Sequence, residues 1–160
     1  MELRSAHETE LEQLARLWYD GWQDAHAAIL PADLARLRTL ESFRQRLADA
    51  LPTIRVAGPP GHPQGFCMLK HDELYQLYVS SEARGSGIAA RLIKDAESRL
   101  RAAGVRTAWL ACAIGNERAA RFYEKHGWRR AGIMVNRLET IGGEYLLEVW
   151  RYEKALDGQG

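Results

Sequence analysis

The amino-acid sequence predicts a mixed α/β domain, and three observations carry this prediction. Apolar residues recur at helical spacing early in the chain, strand-like segments separated by turns follow, and a strand, helix, strand order occurs in the middle. That order implies a right-handed parallel crossover, whereas closely spaced strand pairs imply antiparallel hairpins. The length of 160 residues suits one domain. We expect residues 1–154 to form this domain and residues 155–160 to be a disordered tail.

The first part of the chain is predicted to be helical. Thr9 and Glu12 can form a capping box, after which apolar residues at helical spacing continue to about His26. Pro31 is well placed to open a second helical region, whose apolar stripe ends before Pro52. Helices are therefore expected before any strand.

The rest of the chain is predicted to alternate strands with two helices. The predicted strands are 53–57, 65–69, 73–79, 107–114, 128–138 and 144–152, and the predicted helices are about 89–100 and 116–126. Gly104 and Gly127 follow these two helices and can cap their carboxyl ends. Strand 107–114 is nearly all apolar, so we expect both of its faces to be buried in the middle of a sheet.

The overall charge of the chain is close to neutral. Lys and Arg number 22 against 21 Asp and Glu, so nothing global indicates nucleic acid or a membrane as a partner. The amino-terminal segment has no apolar signal core, and the apolar run 108–114 is too short to cross a bilayer, so a cytoplasmic protein is expected. Cys67 and Cys112 lie in apolar stretches without metal-ligand spacing, which favours buried free thiols and no metal site.

A glycine-containing loop lies between strand 73–79 and the helix that follows. It consists of Arg84, Gly85, Ser86, Gly87, Ile88 and Ala89. Glycines allow backbone N–H groups to converge, and a helix start carries about half a positive charge, so this loop can bind an anion. A glycine turn without a ligand, a Walker loop and a dinucleotide-binding loop are the alternatives.

Neighbouring residues discriminate among these alternatives. A Walker loop needs Gly-Lys-Ser/Thr at its end, and the absence of this triplet sets aside nucleoside triphosphate hydrolysis. Gly85, Gly87 and Ala90 satisfy the glycine spacing of the dinucleotide fingerprint. That fingerprint also needs an acidic residue at the end of the next strand, and no Asp or Glu occurs between Glu97 and Glu117. The dinucleotide interpretation therefore fails its second requirement.

Two motifs together resemble the GNAT superfamily of N-acetyltransferases. Segment 84–89 is similar to the acetyl-CoA loop of that family, Gln/Arg-x-x-Gly-x-Gly/Ala, and follows strand residues 77–79 at the right distance. A second block resembles Asn-x-x-Ala-x-x-Phe-Tyr-x-x-x-Gly-Phe and comprises Asn116, Ala119, Phe122, Tyr123 and Gly127, with Trp128 replacing the final Phe. The motifs have the family's usual separation, and the order of elements fits almost the whole chain.

The resemblance implies a fold and an acyl donor. The fold is a central, mostly antiparallel sheet of six to seven strands, flanked by four helices, whose parallel fourth and fifth strands splay apart. The donor is acetyl-CoA, with its pantetheine arm beside Leu77 and Val79 of the fourth strand. Backbone amides from Gly85 through Ala89 would hold the pyrophosphate, with Arg84 at the mouth. The alternative for Arg84 is a solvated loop charge.

Acetyl transfer to an amine requires a base and benefits from an acid. An alkyl ammonium ion has a pKa of about 10.4, so forming the nucleophilic amine at neutral pH costs about 4 to 5 kcal/mol. The leaving thiolate, whose parent thiol has a pKa of about 8.5, needs less help. The oxyanion of the tetrahedral intermediate needs a backbone N–H on the splayed strand.

The resemblance assigns candidate residues to these roles. Tyr123 stands where many family members have the tyrosine that protonates the thiolate, and an aromatic packed beside Phe122 is the alternative. Asn116 resembles the residue that bonds the pantetheine arm, although an Asn capping a helix has the same pattern. Glu73 matches the base of the histone-acetylating branch, with an exposed strand-end carboxylate as the alternative. Ala111 stands where the ribosomal-protein alanine acetyltransferases have a base, which weakens an amino-terminus acetylase hypothesis.

The acceptor is expected between the first two helices and the last hairpin. Trp18, Tyr19, Trp22 and His26 cluster there at helical spacing, and we expect Trp22 or His26 to reach the acceptor. Because no acidic run suits a basic peptide tail, the favoured acceptor is a primary amine of a small molecule, which attacks directly in a ternary complex. A protein lysine or amino-terminal acetyltransferase and a noncatalytic acetyl-CoA-binding module are the alternatives, and a homodimer is possible.

Overall fold

A computed structural model describes residues 2–156. Its elements in chain order are β1 (Leu3–Ser5), α1 (Leu11–His26), α2 (Ala32–Leu37), α3 (Leu40–Asp49), β2 (Ile54–Ala57), β3 (Gly65–Lys70), β4 (Glu73–Val79), α4 (Ile88–Ala102), β5 (Thr107–Ala113), α5 (Glu117–Lys125), β6 (Arg129–Thr140) and β7 (Gly143–Ala155). The strands form one seven-stranded sheet in the order β1-β2-β3-β4-β5-β7-β6. Neighbouring strands are antiparallel except β4 and β5. The predicted fold class is therefore confirmed. Within residues 2–156, no helix combines the length and apolarity needed to cross a bilayer.

The turn of residues Glu8–Glu10, which leads into α1, is held by a different contact from the one predicted. The predicted pair was Thr9 and Glu12, but it is the Glu10 carboxylate that accepts a hydrogen bond from the backbone N–H of His7, at 3.1 Å. The Arg4 guanidinium lies 2.7 Å from the same carboxylate and, by hydrogen bonding, lowers the pKa of Glu10 to about 2. A contact with β1 thus stabilises the turn before α1. The spacing of residues along the chain could not predict this contact, because it joins separate elements.

The predicted second helical region is two helices, so five helices flank the sheet and not four. Pro31 directly precedes α2, as expected, and the chain leaves helical geometry at Arg38, where ψ is 66°. Thr39 then caps α3 by accepting a hydrogen bond from the backbone N–H of Ser42 at 3.1 Å. At the break the Arg38 side chain is turned inward, with only 3% of the residue exposed.

Strands β4 and β5 diverge, as the resemblance implied. Across the described part of both strands, their ladder consists of one pair, Glu73 opposite Trp109. The Trp109 N–H also donates to the Asp72 carbonyl at 3.2 Å. A register shift between β3 and β4 leaves Tyr75 as an extra residue in β4, and such a bulge bends a strand. A gap therefore opens between β4 and β5 beyond their first residues.

Apolar clusters cover both faces of the sheet. Helices α4 and α5 pack on one face, and α1 and α3 pack on the other around Trp18 and Phe43, whose ring centroids are 4.7 Å apart. Strand β5 buries Leu110 and Cys112 on the first face, but Ala111 on the second face is only half-buried. The prediction that both faces of this strand are buried is therefore wrong for the second face, on which Thr107 is exposed and Trp109 is also half-buried.

Both chain ends differ from the sequence predictions. Residues 3–5 form β1, an unpredicted edge strand that pairs with β2. At the other end β7 continues to Ala155, and Leu156 is fully buried with its N–H donating to the Arg106 carbonyl at 2.7 Å. The predicted tail therefore cannot begin at residue 155, and its remaining part, residues 157–160, lies outside the described residues.

Candidate active site

A cavity of about 570 Å³ lies where β4 and β5 diverge. Its walls come from α1, β4, the loop before α4, β5, α5 and the β6–β7 hairpin. The site residues predicted from the sequence that line it are Trp22, His26, Glu73, Leu77, Val79, Arg84, Gly85, Gly87, Ile88, Ala89, Asn116 and Tyr123. The fold thus brings residues from distant parts of the chain to one cavity.

The loop before α4 presents backbone donors to this cavity. Gly85 and Gly87 have φ values of 80° and 88°, in the left-handed region that favours glycine. A Cβ at either position would meet no atom within 4 Å, so a ligand can approach the backbone closely. The N–H groups in the first turn of α4 have no partner within the helix. The Ser86 N–H donates to the Ala83 carbonyl at 3.2 Å, so this donor is used within the turn and not in the anion site.

Arg84 lies at the mouth of the cavity in an ion pair. Its guanidinium is 2.5 Å from the Asp24 carboxylate of α1, and Arg118 of α5 is 3.2 Å from the same carboxylate. Hydrogen bonds from these two arginines lower the pKa of Asp24. Asp24 therefore connects α1 to both the glycine loop and α5, a connection that no sequence motif indicated.

The edge of β4 that faces the gap is open beside Leu77 and Val79. On the other edge of the strand, these residues lie opposite Cys67 and Gly65 of β3. An unpaired strand edge can bind an extended chain through its backbone groups. This is the place at which the resemblance puts the pantetheine arm.

Tyr123 of α5 lies in the wall of the cavity among aromatic rings. Its ring centroid is 5.4 Å from that of Phe122 and 6.2 Å from that of Tyr152. Burial raises the pKa of the Tyr123 phenol, which therefore stays protonated at physiological pH. Burial also raises the pKa of the Cys112 and Cys67 thiols to about 12, and Cys112 lines the same cavity. The two cysteines are thus buried as predicted, and their surroundings disfavour a thiolate.

Asn116 caps α5. Its side-chain oxygen accepts a hydrogen bond from the backbone N–H of Ala119 at 3.3 Å, so the helix-cap interpretation is confirmed. Because Asn116 also lines the cavity, its amide nitrogen is the group left for a ligand.

Glu73, at the start of β4, is buried, with 8% of the residue exposed. The alternative of an exposed strand-end carboxylate is therefore wrong. Burial raises the pKa of Glu73 to about 7, and the opposing effect of nearby Lys70 is smaller. A carboxyl group with a pKa near neutrality beside a cavity can take a proton from an ammonium ion and release it again.

The aromatic cluster predicted on α1 is divided between core and cavity. Trp18 is fully buried, and Tyr19 packs edge-on against Phe43 with centroids 6.2 Å apart. Trp22 and His26 line the cavity, with ring centroids 5.1 Å apart. Burial lowers the pKa of His26 to about 4, so its imidazole is neutral at physiological pH.

Sequence analysis did not assign several polar side chains of the cavity to the site, and three of them lie at α2, α3 and the β6–β7 hairpin. They are Arg38, Arg46 and Asn136. Arg38 donates to the Glu139 carbonyl of β6 at 2.7 Å, and Arg46 donates to the Tyr75 hydroxyl at 2.9 Å. In the sequence, nothing distinguishes these arginines from the exposed arginines of the same helical region. Only their burial identifies them.

Comparisons with known proteins agree with this geometry. The sequence model of the family described as "Acetyltransferase (GNAT) family" matches residues 11–128. An uncharacterized N-acetyltransferase of Mycobacterium tuberculosis is 31% identical over 117 residues, which cover 70% of this chain and 72% of the relative.

Solved structures share the fold over nearly the full length of the chain. A GCN5-related N-acetyltransferase from Rhodopseudomonas palustris has a TM-score of 0.75 at 21% identity, covering 96% of this chain and 94% of that one. PaiA N-acetyltransferase from Thermoplasma acidophilum, solved in complex with coenzyme A, has a TM-score of 0.72 at 20% identity, covering 96% and 98%.

Proposed function

This chain belongs to the GNAT family of acetyltransferases, and we propose that it moves an acetyl group from acetyl-CoA to a primary amine of a small molecule in a ternary complex. The observation that carries this proposal is one cavity lined both by the glycine loop and by Glu73, a buried carboxyl group with a pKa of about 7. A donor bound at the loop and an acceptor bound near Glu73 would meet where β4 and β5 diverge.

The donor end is formed by the glycine loop and the open edge of β4. The free N–H groups of Gly85, Gly87 and the first turn of α4 are suited to the pyrophosphate of acetyl-CoA. The β4 edge beside Leu77 and Val79 offers backbone groups to the pantetheine arm, and Asn116 offers its amide nitrogen. PaiA, which has the same fold, was solved with coenzyme A, and this supports the assignment of the donor.

Tyr123 is proposed to protonate the thiolate as it leaves. Burial raises the pKa of the Cys112 thiol in this wall, and the same desolvation would disfavour a leaving thiolate beside it. Such a thiolate needs a proton, and the phenol of Tyr123 is a neutral donor at physiological pH. The phenolate formed by this transfer regains its proton from solvent.

Glu73 is proposed to take the proton from the acceptor ammonium ion, directly or through a water. The neutral amine then attacks the thioester carbonyl carbon, and the C–N bond forms before the C–S bond breaks. A backbone N–H of the bulged β4 strand is suited to donate to the oxyanion. The nitrogen of the adduct then carries two protons, of which one is lost to solvent, or to Glu73 after that carboxyl group has released its first proton to water, and the other remains in the amide product.

The acceptor end of the cavity is the part beside α2 and the β6–β7 hairpin, and two contacts there favour a small acceptor. The Tyr145 hydroxyl of β7 donates to the Asp33 carboxylate of α2 at 2.9 Å. Arg38, directly after α2, donates to the Glu139 carbonyl of β6 at 2.7 Å. These contacts join α2 to the β6–β7 hairpin beside the cavity and restrict the open groove that a peptide segment would need.

Product analysis with a panel of amines tests this proposal. The protein is incubated with acetyl-CoA and either small primary amines or a lysine-containing peptide, and thiol release is followed together with mass spectrometry of the product. Mass spectrometry is needed because hydrolysis of acetyl-CoA also releases thiol. We expect an acetylated small amine. Acetyl-CoA binding without any acetylated amine would indicate a noncatalytic module, and acetylation of the peptide alone would contradict the small acceptor.

A further inference from the structure

Two arginine side chains that line the cavity, Arg38 and Arg46, have no acidic partner among the residues that the structure describes. Arg38 is 3% exposed, and Arg46 is half-buried with its guanidinium carbon 4.4 Å from the ring centroid of Trp18. Among residues 2–156, neither guanidinium forms an ion pair. Both line the cavity.

The hydrogen bonds of these two arginines leave donors unused. Arg38 bonds to the backbone carbonyl of Glu139, and Arg46 bonds to the neutral hydroxyl of Tyr75. Within the described chain, the buried Nε atoms of both arginines have no hydrogen-bond partner. A guanidinium has five N–H donors, and a buried cation without a counter-charge is unfavourable.

Glu139 and Glu73 form no ion pair with either arginine among residues 2–156, although the charge of Glu139 has a small opposing effect on the pKa of Arg38. The Glu139 carboxylate is 68% exposed and lies 3.5 Å from Lys70. Glu73 lies in the same cavity, but the basic groups that act on it are Lys70 and Arg151. Burial and, to a lesser extent, repulsion from the charge of Arg46 lower the pKa of Arg38 to about 10. The guanidinium of Arg38 therefore stays charged at neutral pH.

We propose that Arg38 and Arg46 bind an anionic group of the acceptor, so that the substrate is a primary amine carrying a carboxylate or another small anion. This inference rests on the transfer proposed above. Planar guanidinium groups bind such anions through paired N–H donors, and an anion here would neutralise the buried Arg38 and the half-buried Arg46, whose charges repel each other. The apolar side chains of Leu34 and Leu138, which line the same part of the cavity, can contact the carbon chain between amine and anion.

Matched acceptors test the requirement for an anion. Glycine, β-alanine and γ-aminobutyrate are each compared with the corresponding carboxamide, and taurine and phosphoethanolamine identify which anion is preferred. The amines of the carboxamides are less basic, so a larger fraction of them is neutral at pH 7.5. This larger neutral fraction alone would make the carboxamides the faster acceptors, which is the opposite of the expected result. We expect kcat/KM for the best anionic acceptor to exceed that of its neutral counterpart at least about tenfold, the size of a lost charged hydrogen bond.

Variants of the two arginines test whether they cause this preference. In Arg38→Met and Arg46→Met, we expect the ratio of kcat/KM for the anionic acceptor to that for its neutral counterpart to fall to within about threefold of one. Arg44→Met is the matched control, because Arg44 lies on α3 and pairs with Glu12 outside the cavity. A role in packing alone would lower both rates together and leave their ratio unchanged. Acetyl-CoA affinity checks that each variant is folded.

Failure of this inference differs from failure of the proposed transfer. If neutral amines are acetylated as fast as anionic ones, or if the variants keep the wild-type ratio, the anion site is refuted while the transfer stands. If no amine is acetylated, calorimetry compares N-acetyl-β-alanine with N-acetyl-β-alaninamide on the coenzyme A complex. Tighter binding of the carboxylate, lost in Arg46→Met, supports the anion site, and equal or absent binding of the two compounds refutes it.

Discussion

Replacement of Glu73 by Gln should lower activity and raise stability at the same time. The change keeps the shape of the side chain but removes its ability to ionise. In the wild-type protein, burial raises the pKa of Glu73 from 4.5 to about 7. The folded protein therefore bears the cost of an ionised, buried carboxylate above neutral pH, and the Gln variant does not.

The magnitude of the stability change follows from this pKa. A carboxyl group whose pKa is raised on folding does not lower the stability of the protein below its unfolded pKa. As the pH rises from the unfolded pKa through the folded pKa, the free energy of unfolding of the protein falls. A rise from 4.5 to about 7 corresponds to roughly 3 kcal/mol at about 1.36 kcal/mol per pKa unit. The difference in unfolding free energy between Glu73→Gln and wild type should therefore grow by about that amount between pH 4.5 and pH 8. Urea unfolding at several pH values measures this difference.

The activity change has the opposite sign. Loss of a general base should lower kcat/KM by roughly 10² to 10⁴ at neutral pH, while acetyl-CoA affinity hardly changes. The deficit should shrink as the pH approaches the pKa of the acceptor, because neutral amine then forms without help. It should also shrink well below pH 7, where the wild-type carboxyl group is itself protonated. Steady-state kinetics from pH 5.5 to 9.5 measures this profile.

Three results would refute the reasoning about Glu73. A wild-type rate at neutral pH, or a deficit that is constant up to alkaline pH, would exclude Glu73 as the base. A stability difference that does not depend on pH would show that the carboxyl group titrates normally. Glu144→Gln is the control, because Glu144 lies exposed at the start of β7 and away from the cavity.

Three further perturbations test the donor end. Gly87→Glu should abolish acetyl-CoA binding, because it places a carboxylate in the pyrophosphate site. Gly104→Glu is the control, since Gly104 has the same φ of 88° and the same open space but lies outside the cavity. Equal calorimetric affinities of the two variants for acetyl-CoA would contradict the assignment of the loop. Tyr123→Phe should lower kcat by roughly 10² or more without changing acetyl-CoA affinity, and an unchanged kcat would leave Tyr123 as a packing residue. Asp24→Asn should free Arg84 for the phosphates and tighten acetyl-CoA binding by up to about fivefold at low salt, since exposed ion pairs contribute about 0–1 kcal/mol. Weaker binding in this variant would indicate that the ion pair positions the loop.

Most of the fold could be predicted because it follows from local patterns. Apolar periodicity located α1, α4 and every strand from β2 to β7, since burial of one face requires that spacing. The glycine loop was recognisable because Gly85 and Gly87 adopt positive φ values that other residues rarely take. The divergence of β4 and β5 could not be predicted from periodicity. It was predicted from the resemblance of two sequence motifs to those of a family.

The wrong predictions concern residues whose partners are distant in the sequence. The turn before α1 is held by Glu10 together with Arg4, which lies in β1. Leu156 was assigned to the tail of residues 155–160, but it is buried and its N–H donates to the Arg106 carbonyl. The ion pairs of Asp24 with Arg84 and Arg118 could not be predicted either, because they join α1 to segments far along the chain.

The sequence by itself determined which chemical groups this protein has and in which elements they lie. It placed Glu73 at the start of a strand, Tyr123 on a short helix and a glycine loop before a longer helix. Only the tertiary structure decided what these groups can do. Burial raises the pKa of Glu73 to about 7, and burial distinguishes Arg38 from the other arginines as a cation of the cavity that has no ion pair within residues 2–156. The reason is that desolvation and charge pairing depend on distances between segments, whereas the spacing of residues along a chain records only their nearest neighbours.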